Sequence, residues 1–252
     1  MVGVGDGCAG YGDAVDPDPV LASLLPAQVR GAEQFGSPRE PAGLPEERAA
    51  IAHAVAARQG DYLGVRDCAR TALAGLGLGP VAIGTGPRRE PVWPHGVVGS
   101  LTHCAGYRAA AVALSDRMRA VGIDAEPHEP LPDGVLEAVA LPEEVRAIAA
   151  LDRSDPRTHW GRVLFCAKEA VYKAWYPLTG EWLGFEEASI SVETTGHDLR
   201  RHHSRLHGGR FRARLLRAGP MVDGTPLTCF DGRWVVASGL ICTVVLVPAA
   251  PG

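Results

Sequence analysis

Two acidic side chains, Asp124 and Glu126, stand one residue apart in the apolar run VGIDAE (121–126). In an extended chain successive side chains point to opposite faces. Val121, Ile123 and Ala125 therefore share one face, and both carboxylates project from the other. Two carboxylates on one face repel unless a cation lies between them. Magnesium suits such a pair, because it takes hard oxygen ligands and keeps positions open for phosphate oxygens. Taken alone, the pair reads first as a solvated strand face, since acids are common on surfaces.

A second set of residues lies on a helical pattern over 158–175. At 100° per residue, Leu164, Ala167, Val171, Ala174 and Trp175 form an arc toward a core. Glu169 and Lys173 share the far side at i and i+4, beside an aromatic edge of Phe165, Tyr172 and Tyr176. Lys168 falls within the apolar arc, where a lysine either snorkels outward or ends at a fixed anion. An ordinary helix ion pair, worth about 0.3–0.5 kcal/mol, explains Glu169 and Lys173 as well as a site does. The turn GSLTHC (99–104) adds Ser100, Thr102 and His103 at a strand end before a glycine turn, a place to hold phosphate oxygens. A lone histidine is more often structural. The pattern G-x-S-x-G is absent and no Ser-His-Asp order can be assigned, which argues against a serine hydrolase.

The elements that must position these residues follow from composition and punctuation. The chain has 252 residues, 46% hydrophobic and 21% charged, with a net charge of −4 from 25 basic and 29 acidic side chains. That supports a packed core and excludes a whole-molecule polyanion binder. Six cysteines without a C-x-x-C pair fit a reducing cytoplasm rather than a disulfide framework or zinc knuckle. The acidic N-terminal stretch has no basic residue before Arg30, so no secretory leader is expected, and the longest apolar stretch, 234–248, is too short to span a bilayer. A loose start over 1–25 gives way to a helical stretch over 45–76, opened by Pro-Glu-Glu and interrupted at Gly60. Strands are expected at 97–100, 109–114 and 120–126, then a proline-rich linker over 126–134. Helices over 134–151 and 158–175 follow, then strands over 188–193, 210–216 and 234–247. No fixed-period repeat is evident. Helices and strands mix without regular βαβ alternation, so the fold class is α+β.

Three segments in order, WPHGVVGSLTHC (93–104), VGIDAE (121–126) and FCAKEAVYKAWYP (165–177), resemble the Sfp-type (surfactin- and enterobactin-type) 4′-phosphopantetheinyl transferases, closest to the actinobacterial members. Arg58 and Arg66 resemble the family's upstream arginine motif, and 182–185 the stretch after its signature helix; the resemblance covers about 46–247. It implies transfer of the phosphopantetheine arm of coenzyme A to a serine of apo acyl, aryl or peptidyl carrier proteins, releasing 3′,5′-ADP. It implies two similar α/β halves about a pseudo-two-fold axis, with CoA in the cleft between them. The halves are expected at 1–126 and 127–252. Asp124, Glu126 and Glu169 match the family's magnesium-binding acids, with manganese an acceptable substitute, and Glu169 also the general base. Lys173 and Lys168 match phosphate contacts, with His103 on the same group or on the 3′-phosphate. Thr102 stands where the family often has a serine and keeps its hydroxyl. Arg58 and Arg66 match adenylate and 3′-phosphate contacts, Arg88 or Arg89 adds another, and Tyr172 and Trp182 line the pantetheine channel. The family's tendency is monomeric.

Carrier proteins are acidic around their acceptor serine, so a basic patch is expected here. Residues 197–217 hold seven arginines against one acid, alternating with apolar residues over 210–215. That stretch reads as a docking face or as a solvated strand face that resists aggregation. Nucleic acid and membrane are not expected partners. Two other activities use the same residues: magnesium-dependent hydrolysis of CoA or nucleotide pyrophosphate, and non-catalytic binding of CoA or a carrier.

Overall fold

The computed structural model describes residues 19–36, 43–194, 199–201 and 204–250. The loose start expected over 1–25 lies mostly outside them; its described end forms a 3-10 turn, Leu21–Ser23, with Val20, Leu21 and Leu24 buried. Strand β1 (Arg30–Phe35) leads to α1 (Pro45–Ile51) and α2 (Ala56–Ala74), then a small hairpin of β2 (Gly84–Thr85) and β3 (Pro91–Val92), and a long one of β4 (Val97–Cys104) and β5 (Tyr107–Leu114). Strand β6 (Met118–Pro127) follows, then α3 (Val135–Val139), α4 (Pro142–Ser154) and α5 (Trp160–Thr179). The chain finishes with β7 (Ala188–Thr194), β8 (Leu199–Arg201), β9 (Ser204–Leu215), a minor hairpin of β10 (Met221–Val222) and β11 (Thr225–Pro226), β12 (Cys229–Ala237) and β13 (Leu240–Pro248).

One sheet has the order β1-β5-β4, and a second β6-β13-β12-β9-β7, with β8 on β9. Helix α2 packs on the first sheet, α4 and α5 on the second, and a third core lies between the sheets. The α+β expectation holds. The expected division after Glu126 does not match the hydrogen bonding, because β6 pairs along its length with β13 and so belongs to the second sheet. The turn between β5 and β6 is the natural boundary, and both strand acids sit on the second half.

Each half repeats one order: a strand, a Leu-Pro-Glu-Glu helix start, a long helix, and a hairpin whose second strand pairs with the first. The repeat is visible at 44–47 and 141–144. Proline at the first helical position presets φ. The second glutamate then folds back to accept the leucine N–H, Glu47 Oε2 from Leu44 over 3.0 Å and Glu144 Oε2 from Leu141 over 2.7 Å. Both glutamates are buried, and each accepts a second backbone N–H, from Ile83 at 2.9 Å and from Ile190 at 2.6 Å. Each is also paired with a cation of the long helix, Arg70 at 2.5 Å and Lys168 at 2.8 Å. The expected break at Gly60 falls instead before Ala56, where the Gln59 side chain donates to the carbonyls of Ala52 and Ala54 and fixes the turn. Among the described residues, no helix is long and apolar enough to cross a membrane.

Candidate active site

Gly122 sets how closely α5 approaches β6. A Cβ there would lie 2.0 Å from the Ala170 carbonyl oxygen and 2.8 Å from the Ala174 nitrogen. Only glycine lets the helix backbone rest on the strand. Two residues on, Asp124 thereby meets the helix: Lys173 Nζ donates to Asp124 Oδ1 over 2.7 Å. The same oxygen accepts the Thr102 hydroxyl proton at 3.0 Å. Asp124 Oδ2 is buried and has no hydrogen-bond partner.

The neighbouring acids feel Asp124. Burial pushes the Glu169 and Glu126 carboxyls above the ordinary carboxylate range, and the Asp124 charge adds to both shifts. Lys173 opposes the shift at Glu169. Arg162 opposes it at Glu126 through a 2.9 Å ion pair. Burial pulls the Lys173 ammonium down, but Asp124 and Glu169 outweigh it and leave the group raised. As placed, no three His, Cys, Asp or Glu side chains among the described residues converge on one ion; Lys173 and Arg162 hold two of the acids. The donor set still fits a divalent cation: hard oxygens throughout, repulsion among the three carboxylates, and one buried oxygen left unsatisfied.

Basic side chains from the first half face this helix. His103, at the end of β4, has its imidazole pKa lowered by burial; Asp61 opposes the shift, and Lys173, Arg58 and Arg108 reinforce it. The fields of those four charges all reach one ring, and Arg58 is exposed on α2. Arg88 and Arg89 are exposed at the β2–β3 turn, Arg89 with a φ of 69°, and the Arg88 charge acts on the Tyr172 phenol. Tyr172 and Trp182 pack at a tilt of 53° with ring centroids 4.8 Å apart, Trp182 being 62% exposed. Between them and Glu169 opens a pocket of about 70 Å³, walled by Val171, Leu183 and Phe185.

Three expected contacts are corrected. Lys168 lines that pocket, but its ammonium is turned to the framework: Nζ pairs with Glu144 and donates to the carbonyls of Phe185 at 2.6 Å and Ala188 at 3.2 Å, which uses all three protons. Thr102 is buried, its hydroxyl engaged by Asp124 and by the Ala125 N–H at 3.1 Å. Arg66 is buried over the Tyr62 ring and donates to Ile83 O, Tyr62 O and Thr85 Oγ1, so it braces the 83–85 segment instead of facing a ligand. The arginine stripe also lies apart. Phe211, Ala213 and Leu215 pack toward α5, so Arg210, Arg212 and Arg214 occupy the opposite sheet face, and Arg212 pairs with Asp231. The side chains of Arg200, Arg201 and Arg205 lie outside the described residues.

Sequence reasoning missed Arg162, Asp61 and Arg108. Arg162 stands seven residues before Glu169, on the same helical face, a spacing that could have revealed it. Asp61 and Arg108 pair at 2.7 Å across α2 and β5, a long-range contact with no local signature.

Residues 46–113 match the model of the 4′-phosphopantetheinyl transferase N-terminal domain, and 120–229 that of the 4′-phosphopantetheinyl transferase superfamily. The chain is 51% identical over 227 residues to the 4′-phosphopantetheinyl transferase Npt of Nocardia iowensis, covering 90% of this chain and 99% of the relative. It is 49% identical over 232 residues to PptT of Mycobacterium tuberculosis, covering 90% and 97%. Against Svp of Streptomyces mobaraensis the identity is 46% over 236 residues, covering 92% and 91%.

Proposed function

The chain belongs to the 4′-phosphopantetheinyl transferases, and from that membership we propose how its cleft moves phosphopantetheine from coenzyme A to a carrier-protein serine. Asp124, through Oδ2, with Glu126 and Glu169, would hold a magnesium or manganese ion. When bound, that ion neutralises charge on the CoA pyrophosphate as the phosphoanhydride breaks.

The remaining work belongs to the protein's own side chains. Lys173, held by Asp124 Oδ1 at the cleft, presents its other protons to phosphate oxygens. Arg58 supplies positive charge for the 3′-phosphate and adenylate end, and Arg88 or Arg89 extends it; His103, held neutral by burial, offers a ring N–H to the same group. Tyr172 and Trp182 guide the pantetheine arm. Glu169, its carboxyl raised by burial and by Asp124, takes the proton from the carrier serine. The serine oxygen bonds to the phosphorus bearing pantetheine, the bond to the adenylate-side phosphate breaks, and 3′,5′-ADP leaves with that electron pair. The protein contributes no nucleophile; it positions charge and a hydroxyl. It acts in the cytoplasm as a monomer, on acyl, aryl or peptidyl carriers.

The observation that carries this reading is the unsatisfied Asp124 Oδ2 beside two carboxyls raised by burial and, second, by its charge. Incubation with CoA, magnesium and an apo carrier should add one phosphopantetheine mass to the carrier. Asp124→Ala and Glu169→Ala should abolish that gain while melting as folded proteins. A variant keeping most activity removes that acid from the mechanism, and ADP release without any carrier would favour pyrophosphate hydrolysis instead.

A further inference from the structure

Strands β4 and β6 lie side by side without forming a ladder; β4 pairs with β5, and β6 with β13. The free edge of β6 is satisfied by two hydroxyls of β4. Ile123 N–H donates to Ser100 Oγ and Ala125 N–H to Thr102 Oγ1, each over 3.1 Å. Both hydroxyls are buried, and the two bonds are equivalent, one strand repeat apart. They differ in one respect: Thr102 passes its own proton to Asp124 Oδ1.

We infer that Thr102 is a positioning residue that orients the Asp124 carboxylate so that Oδ2 is the oxygen left for the cation. Accepting the Ala125 N–H fixes the Thr102 oxygen. Its single proton then goes to Oδ1, which also receives Lys173. Two donors on one oxygen prevent the carboxylate from rotating and leave the lone pairs of Oδ2 unspent. Lysine alone, on a long flexible stem, fixes distance but not orientation. This inference rests on the reading of Asp124 as a metal ligand.

Ser100 is the built-in control, because Ser100→Ala and Thr102→Val each strip one β6 N–H of its acceptor. Both variants should lose similar thermal stability. Manganese titration followed by electron paramagnetic resonance should show Thr102→Val weakened about 10–100-fold, the range for lost outer-shell partners of a metal site. Ser100→Ala and Thr102→Ser should bind like the parent. In transfer assays the magnesium requirement of Thr102→Val should rise more than kcat falls. Equal manganese affinities for Thr102→Val and Ser100→Ala would overturn the inference and leave the metal reading standing. Parental manganese binding by Asp124→Ala, or none by the parent, would overturn the metal reading and this inference with it.

Discussion

Replacing Lys168 by methionine separates a structural brace from a phosphate contact. Methionine keeps most of the apolar stem and removes only the ammonium. The Lys168 and Glu144 side chains are 2% and 1% exposed, so the lost partner leaves a carboxylate away from water. Breaking one side of a buried pair costs about 3–5 kcal/mol. Two effects act against each other here: Glu144 keeps the N–H donors of Leu141 and Ile190, while the Phe185 and Ala188 carbonyls lose theirs. A loss of about 3–5 kcal/mol in a chain of this size lowers the melting temperature by roughly 10 °C. Thermal unfolding by circular dichroism measures that shift, and steady-state kinetics measure KM for CoA, which should stay near the parent's. Glu144→Gln with Lys168→Met should be milder than the two losses summed, because neutralising both partners leaves no buried charge. A variant that melts like the parent while KM for CoA rises tenfold would refute the brace and restore Lys168 to the phosphates.

Arg58→Ala should raise KM for CoA about 10-fold or more, the scale of one lost charge-assisted hydrogen bond, with dephospho-CoA affected less; equal effects on both substrates would detach Arg58 from the 3′-phosphate. Glu126 and Glu169 are held above the ordinary carboxylate value of about 4.3 by burial first and Asp124 second. The fold therefore favours their protonated forms, and the metal-free protein loses stability as pH rises through the shifted values. A divalent cation needs both ionised, so the melting upshift on adding magnesium should grow between about pH 5 and 7.5; an upshift independent of pH would count against carboxylate ligation.

The side-chain groupings were legible in the sequence wherever residue type and short-range spacing carry them. Asp124 and Glu126 share a face because strands alternate, and Glu169 and Lys173 share one because helices turn in 3.6 residues. Their meeting across β6 and α5 depends on Gly122, whose role is invisible until the Ala170 carbonyl is seen against it. The position of Lys168 in the apolar arc calls for snorkelling or a fixed anion, and the family resemblance makes that anion a phosphate. The fixed anion exists, but it is Glu144 on another helix. Thr102 is expected at phosphate oxygens, yet its hydroxyl faces an edge strand that no local pattern places beside it.

The internal repeat separates framework from chemistry. Aligning the two hairpins from their turns sets Tyr107 against Leu240, so Ala110 corresponds to Thr243 and Arg108 to Ile241. Through the ladders, Ala32 then stands where Asp124 does, and Gln34 where Glu126 does. On the long helices, Arg70 corresponds to Lys168 by its bond to the repeated glutamate, which sets Thr71 against Glu169 and Gly75 against Lys173. The four charges of the proposed site have neutral counterparts, whereas the buried brace recurs with its charges intact. A brace whose oxygens are all satisfied fixes geometry in both halves. A second carboxylate cluster with no ligand to neutralise it would only cost desolvation. The pair found twice is therefore framework, and the four charges found once are free for the chemistry proposed for them. That distinction places Lys168 and Lys173, five residues apart on one helix, in different roles.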